Sequence, residues 1–170
     1  MKYYIVIAFA FLALTSCNKQ KIAFVDNGRV INEIQEKKDL EAKYKIREDA
    51  FNAKADGLDE EIQLEVKEFQ AKVESMSPVN QEKNYQALVQ KKQAQDQKLQ
   101  FEKQQITQEF RKDVDSVIAR VKTYVKGYGK SNGYTYILGT SDVASTVLYG
   151  SEENDLTDVV IEALDKEYKK

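Results

Sequence analysis

The chain has 170 residues, 32% of them charged and 42% apolar, with no His, no Trp, one Pro and one Cys. Without His it lacks the commonest general base and the commonest zinc ligand, and a lone Cys excludes an intrachain disulfide or a cysteine-based metal cluster. The formal net charge of −2, from 26 basic and 28 acidic residues, leaves no basic surplus of the kind a nucleic-acid binder concentrates on one face.

Residues 1–16 read as an address. Lys2 precedes an apolar run from Tyr3 to Leu14. As a helix this run would span about 18 Å, too short for a bilayer core of about 30 Å, so it is a signal h-region. It ends in Leu14-Thr15-Ser16-Cys17, which resembles a lipobox, the cleavage site of lipoprotein signal peptides. On that reading, preferred to an ordinary signal peptide with an incidental Cys, Cys17 is lipidated and becomes the first mature residue. Residues 17–21 are then a short tether, and several acyl chains hold the protein on a membrane.

Ile22-Ala23-Phe24-Val25 reads as a buried strand. Asp26 or Asn27 can cap a short helix through Ile34. From about Asp39 the pattern becomes a heptad-like seam in which Phe51, Ala55, Leu58, Ile62, Val66, Phe69, Val73 and Met76 recur at gaps of three and four. Residues 39–76 as one helix would be about 57 Å long. The only Pro, Pro78, lies in a break between Ser75 and Asn80, where Ser77 can cap a returning helix. That helix is Gln-rich and weakly apolar at first, then carries Ile106, Phe110, Val114, Val117, Val121 and Val125 at the same gaps. An antiparallel hairpin over 39–126 with its tip near 75–80 follows. Gly127, Gly129 and Gly133 are expected to end it, with strands at Tyr134–Leu138 and Ser145–Tyr149. A last helix presents Leu156, Val159, Val160, Ala163, Leu164 and Tyr168 on one face.

The predicted fold class is therefore α+β, with a small body of about three strands and two short helices, formed by 22–38 and 127–170, carrying a long antiparallel coiled-coil hairpin. The seam residues Phe51, Leu58, Ile62, Phe69, Ile106, Phe110, Val117 and Val121 are expected to pack the hairpin. Gly57, which costs about 1 kcal/mol in a helix relative to Ala, is the candidate hinge. Near the tip, Met76, Val79, Tyr85, Leu88 and Val89 are candidate contacts for a partner, since Met adapts to varied surfaces.

A body this small has little core, and a three-stranded sheet has open edges. Both deficits are relieved if several bodies join, so a homo-oligomer with projecting hairpins is expected. Its amphipathic walls could touch an unfolded chain through many weak contacts without nucleotide, and no Gly-rich phosphate loop, catalytic constellation or metal-ligand spacing is present in the sequence. No enzyme activity and no cofactor are expected. The alternative is a structural or adaptor lipoprotein whose hairpin bridges folded envelope partners.

The ordered set of K-I-A-F-V-D after the leader, the charged helical middle, Y-T-Y-I-L-G and the closing D-L-T-D-V-V-I-E-A-L resembles the Skp (OmpH-like) family of periplasmic chaperones over residues 21–168. The resemblance implies a homotrimer with a β-barrel-like body and helical tentacles. It also implies a holdase that binds unfolded outer-membrane proteins in the periplasm. With the lipobox, it places the chain at the periplasmic face of the outer membrane. One departure stands out: where the best-known members are strongly basic, residues 36–126 here carry 18 basic and 18 acidic side chains.

Overall fold

A computed structural model describes residues 20–141 and 146–169. The signal segment and Cys17 lie outside the described residues. The elements, in chain order, are β1 (Ile22–Asp26), α1 (Asn27–Glu33), α2 (Gln35–Lys72), a 3₁₀ turn (Val73–Ser75), α3 (Pro78–Ser131), β2 (Tyr136–Thr140), a second 3₁₀ turn (Glu152–Asn154) and α4 (Thr157–Tyr168). They divide into two compact units. Among the described residues, one contains 20–32 with those from Val121 onward, and the other is Glu33–Arg120.

The first unit is built on a two-stranded parallel sheet, with Ile22 opposite Tyr136 and Asp26 opposite Thr140. Parallel strands need a long crossover, and here everything from α1 to the end of α3 supplies it. Side chains alternate across the sheet: Ala23 and Val25 are buried with Val30, Leu156, Val160 and Leu164, whereas Ile22, Tyr136 and Leu138 are exposed. Asp26 caps α1 by accepting the Arg29 N–H at 2.9 Å. The Asp26 N–H donates to Thr157 Oγ1 at 2.9 Å, and the Thr157 N–H donates to Asp155 Oδ1 at 2.8 Å, which ties the start of α4 to β1.

The three-strand expectation is corrected to two. Thr146–Tyr149 form no strand, and Leu148 and Tyr149 are 93% and 89% exposed; Ser145 lies outside the described residues. The second edge of β1 is taken by a different segment. Phe24 forms an isolated bridge with Asp155, and the Leu156 N–H donates to the Phe24 carbonyl at 2.9 Å.

The C-terminal end of α3 differs from the sequence expectation too. The helix runs through Gly127 and Gly129 to Ser131 and stops only at Gly133, whose φ of +69° is the left-handed turn that suits Gly. There the Tyr134 N–H reaches the Gly129 carbonyl at 2.9 Å and the Gly133 N–H the Lys130 carbonyl at 3.4 Å, a Schellman cap. Gly129 is instead a packing glycine, since a Cβ there would sit 3.1 Å from Ile137 Cδ1. Because the cap uses Tyr134, β2 begins two residues later than expected, at Tyr136.

The second unit is a helical hairpin. Its outgoing arm begins at Gln35, earlier than the expected Asp39, after Ile34 takes extended backbone geometry (φ −64°, ψ 141°). At the tip, the Gln81 side chain donates to the carbonyls of Val73 (2.8 Å) and Met76 (3.1 Å), satisfying acceptors that the end of α2 leaves open. No helix among the described residues is long and apolar enough to cross a membrane.

Candidate functional site

The hairpin is the part of the chain that offers most surface for recognition, and its seam decides which side chains remain available. Near its base the seam is aromatic and well packed. Tyr44 and Phe51 are buried, and the Tyr44 ring meets Phe110 edge-on with centroids 5.0 Å apart. The Tyr44 hydroxyl donates to Asp113 Oδ2 at 2.9 Å across the seam. Burial, then this carboxylate, push the Tyr44 phenol above its ordinary pKa, while the hydrogen bond from Tyr44, reinforced by Lys43, holds Asp113 below the usual carboxylate range. Lys37 is buried beside them, paired with Glu41 one turn along and lying 5.8 Å from the Phe110 ring centre.

Charged pairs set the register between the arms. Glu36 meets Arg120 (3.0 Å), Arg47 meets Glu109 (2.6 Å), Lys54 meets Glu102, Asp59 meets Lys92 (2.7 Å), and Lys91 holds both Glu61 (2.6 Å) and Glu65. As one partner's number rises the other's falls, which is the antiparallel order. The carboxylates raise the pKa of the cations they bind: Glu109 that of Arg47, Glu61 and Glu65 that of Lys91, and Asp59 and Asp96 that of Lys92. Exposed pairs of this kind are worth about 0–1 kcal/mol each, so they specify alignment more than they supply stability.

Toward the tip the seam thins. Ile62 is buried, Leu58 and Phe69 are half-buried, and no residue from there back to Val117 is buried among the described residues. Ile106 and Phe110 are also half-buried, and Val121 is buried within the first unit. The Gln95 side chain enters the seam, where its amide donates to the Leu58 carbonyl at 3.3 Å and its Oε1 is buried without a partner. A Cβ added at Gly57 would meet nothing within 4 Å.

Grooves run between the arms. One of 510 Å³ is lined by Arg47, Phe51, Lys54, Lys98 and Phe101. Another of 380 Å³ has Tyr44, Phe51, Lys103, Ile106 and Phe110 on its walls, and a third, of 310 Å³ near the tip, is bordered by Phe69, Met76, Leu88 and Lys91. Of the five candidate contacts, Val79 and Tyr85 are exposed, while Met76, Leu88 and Val89 are half-buried. Sequence reasoning missed Ile46, Leu64 and Phe101, which are exposed apolar side chains on the same hairpin, Phe101 at 61%. A signal for them existed. Each follows a seam residue by two positions (Tyr44, Ile62 and Leu99), and two residues turn about 200° around a helix, away from the centre of the seam.

Three comparisons bear on this architecture. No curated protein matches the chain. Among solved structures, a Caulobacter crescentus protein described as an OmpH-like outer membrane chaperone superposes with a TM-score of 0.78 over 87% of this chain and 85% of its own, at 20% identity, a likeness of fold. The family model for outer membrane protein (OmpH-like) matches residues 21–164. The chain belongs to the OmpH-like family.

Proposed function

We propose that the protein is a nucleotide-independent holdase chaperone that keeps unfolded outer-membrane proteins from aggregating in the periplasm. Membership in the OmpH-like family supports the chaperone role and the envelope location. The observation that carries the rest is the hairpin itself. The pair of helices leaves Ile46, Leu64, Val79, Tyr85 and Phe101 exposed along its length, with open grooves between the arms. Many weak apolar contacts spread over a long surface suit a partner without fixed shape. Met76, Val79, Tyr85, Leu88 and Val89 are the client contacts of this proposal, and Gly57 is its hinge.

The same reading makes the chain a homotrimer joined through the first unit. Ile22, Tyr136 and Leu138 expose an apolar sheet face that a second copy would cover, and joined copies would complete the barrel-like body. It also makes Cys17 the lipid anchor, holding the chaperone at the periplasmic face of the outer membrane. The test is a light-scattering assay on a urea-denatured outer-membrane protein diluted with and without the trimer, in the absence of nucleotide. The holdase delays aggregation at stoichiometric amounts. No delay at an excess of trimer, together with capture of a single folded partner from the envelope, would favour a spacer or adaptor.

A further inference from the structure

Of the three grooves along the hairpin, one departs from the others in charge. The 510 Å³ groove has Arg47, Lys54 and Lys98 in its lining against a single carboxylate, Glu102. The 380 Å³ groove sets Lys45 and Lys103 against Glu41 and Glu48, and the 310 Å³ groove sets Lys72 and Lys91 against Glu65 and Glu68, so both are balanced. Two of the three cations in the first groove are already engaged, Lys54 by Glu102 and Arg47 by Glu109 at 2.6 Å. Lys98 is exposed and enters no ion pair among the described residues. With the other charges paired, the groove offers one uncompensated cation.

The apolar part of the same groove is aromatic. Phe51 is buried in the seam, while Phe101 stands 61% exposed, a ring whose area is left in water. Lys98 and Phe101 are three positions apart on α3, so they are neighbours on the helix surface with Cβ atoms about 5–6 Å apart. A free cation and an open ring at that separation match a particular client chemistry. In an extended chain, residues two positions apart point to the same face at about 6.6 Å. An aromatic residue with Asp or Glu two positions away therefore presents its ring to Phe101 and its carboxylate to Lys98 at once. Outer-membrane strands supply such pairs: their apolar band ends in girdles of aromatic residues, and charge is tolerated near these interfaces.

We propose that this groove is a subsite for an extended client segment carrying an aromatic residue and, two positions away, an acidic one. The proposal rests on the holdase reading and adds to it a preference in sequence that scattered exposed apolar residues do not supply. The client ring packs edge-on or offset against Phe101, and the client carboxylate pairs with Lys98. The exposed amide of Gln105, in the same lining, is within the groove for the client backbone. Segments whose flanking charge is basic meet Lys98 as a like charge and are disfavoured. A groove of 510 Å³ is in the range of clefts that hold small organic ligands, so it takes one ring with its adjoining residues and not a folded surface.

The test uses the intact protein and three N-acetylated peptides of one length that differ only in a central triplet: phenylalanine-serine-glutamate, phenylalanine-serine-arginine and leucine-serine-glutamate. A water-soluble amine reagent reads lysine accessibility by mass spectrometry, with the exposed Lys67 and Lys83 as references. The first peptide should protect Lys98 several-fold better than either of the others, and molar salt should remove its advantage over the arginine peptide. K98E should invert the order of the two phenylalanine peptides by about two- to fivefold in affinity, read by fluorescence anisotropy. F101A should bring the phenylalanine and leucine glutamate peptides to equal affinity. A residue that only held the arms together would give no such inversion. Equal protection by all three peptides, or none at Lys98 beyond that of the references, overturns the proposal. The aggregation assay keeps the two readings apart. Delayed aggregation without discrimination between peptides removes the subsite and leaves the holdase, whereas discrimination without delay removes the holdase and leaves the groove as a peptide site.

Discussion

The two ends of the hairpin are held together differently. At the base, Tyr44, Phe51 and Val117 are buried and Phe110 closes the seam edge-on. From Leu58 toward the tip only Ile62 is buried, and alignment comes from ion pairs on Lys91 and Lys92 and from the amides of Gln81 and Gln95. Packing of apolar area is worth far more than exposed ion pairs, and the partnerless Gln95 Oε1 costs about 1 kcal/mol more. One pair of helices thus combines a firm root with a less tightly packed outer part, as the proposed holdase would need if its arms are to adapt to clients of different size.

Breaking the root should have the largest effect. Phe110→Asp places a carboxylate against Tyr44 and beside Asp113, and should destabilise the hairpin by about 3 kcal/mol, visible as a lower thermal transition by circular dichroism. Ile62→Ala removes the one buried side chain of the outer part and should cost about 2 kcal/mol. It should loosen the outer part and leave the root's hydrogen-exchange protection unchanged. Gly57→Ala works in the opposite direction. With open space around the added methyl, it should raise stability by about 1 kcal/mol, and a fall in client capacity at the same time would mark Gly57 as a hinge.

The smallest effect concerns pH and belongs to the root alone. The folded state lowers the pKa of Asp113, so its contribution is present above the unfolded carboxylate value of about 3.9 and is lost as pH falls through the folded one. The folded state raises the pKa of Tyr44, so its contribution is present below about 10 and disappears as pH climbs through the raised value. Tyr44→Phe should flatten the stability profile at both extremes, measured as melting temperature against pH. An unchanged profile would remove this hydrogen bond from the account.

Much of this architecture is legible in the sequence because a heptad seam states which helix face is buried, and the lone Pro marks where the chain turns back. What escapes is information that lies outside local pattern. Gly127 and Gly129 look like terminators as much as Gly133 does, yet only Gly133 takes a positive φ, and Gly129 is small because Ile137 approaches it. The Thr146–Tyr149 run has strand composition, yet it pairs with no strand, and the second edge of β1 is bridged by Asp155 and Leu156 instead. Ile46, Leu64 and Phe101 fall outside the seam, and a single apolar residue on a charged face gives no period to detect. Exposed positions are recognised only once the buried ones are known.

The most direct test of the two-part hairpin is amide hydrogen exchange along its length. The account predicts that amides in 36–51 and 104–120 exchange at least about tenfold more slowly than those in 63–99, the ratio for 1.4 kcal/mol of local stability, and that a bound client slows the outer segment alone. Uniform protection from base to tip, or a client effect confined to the base, would contradict it.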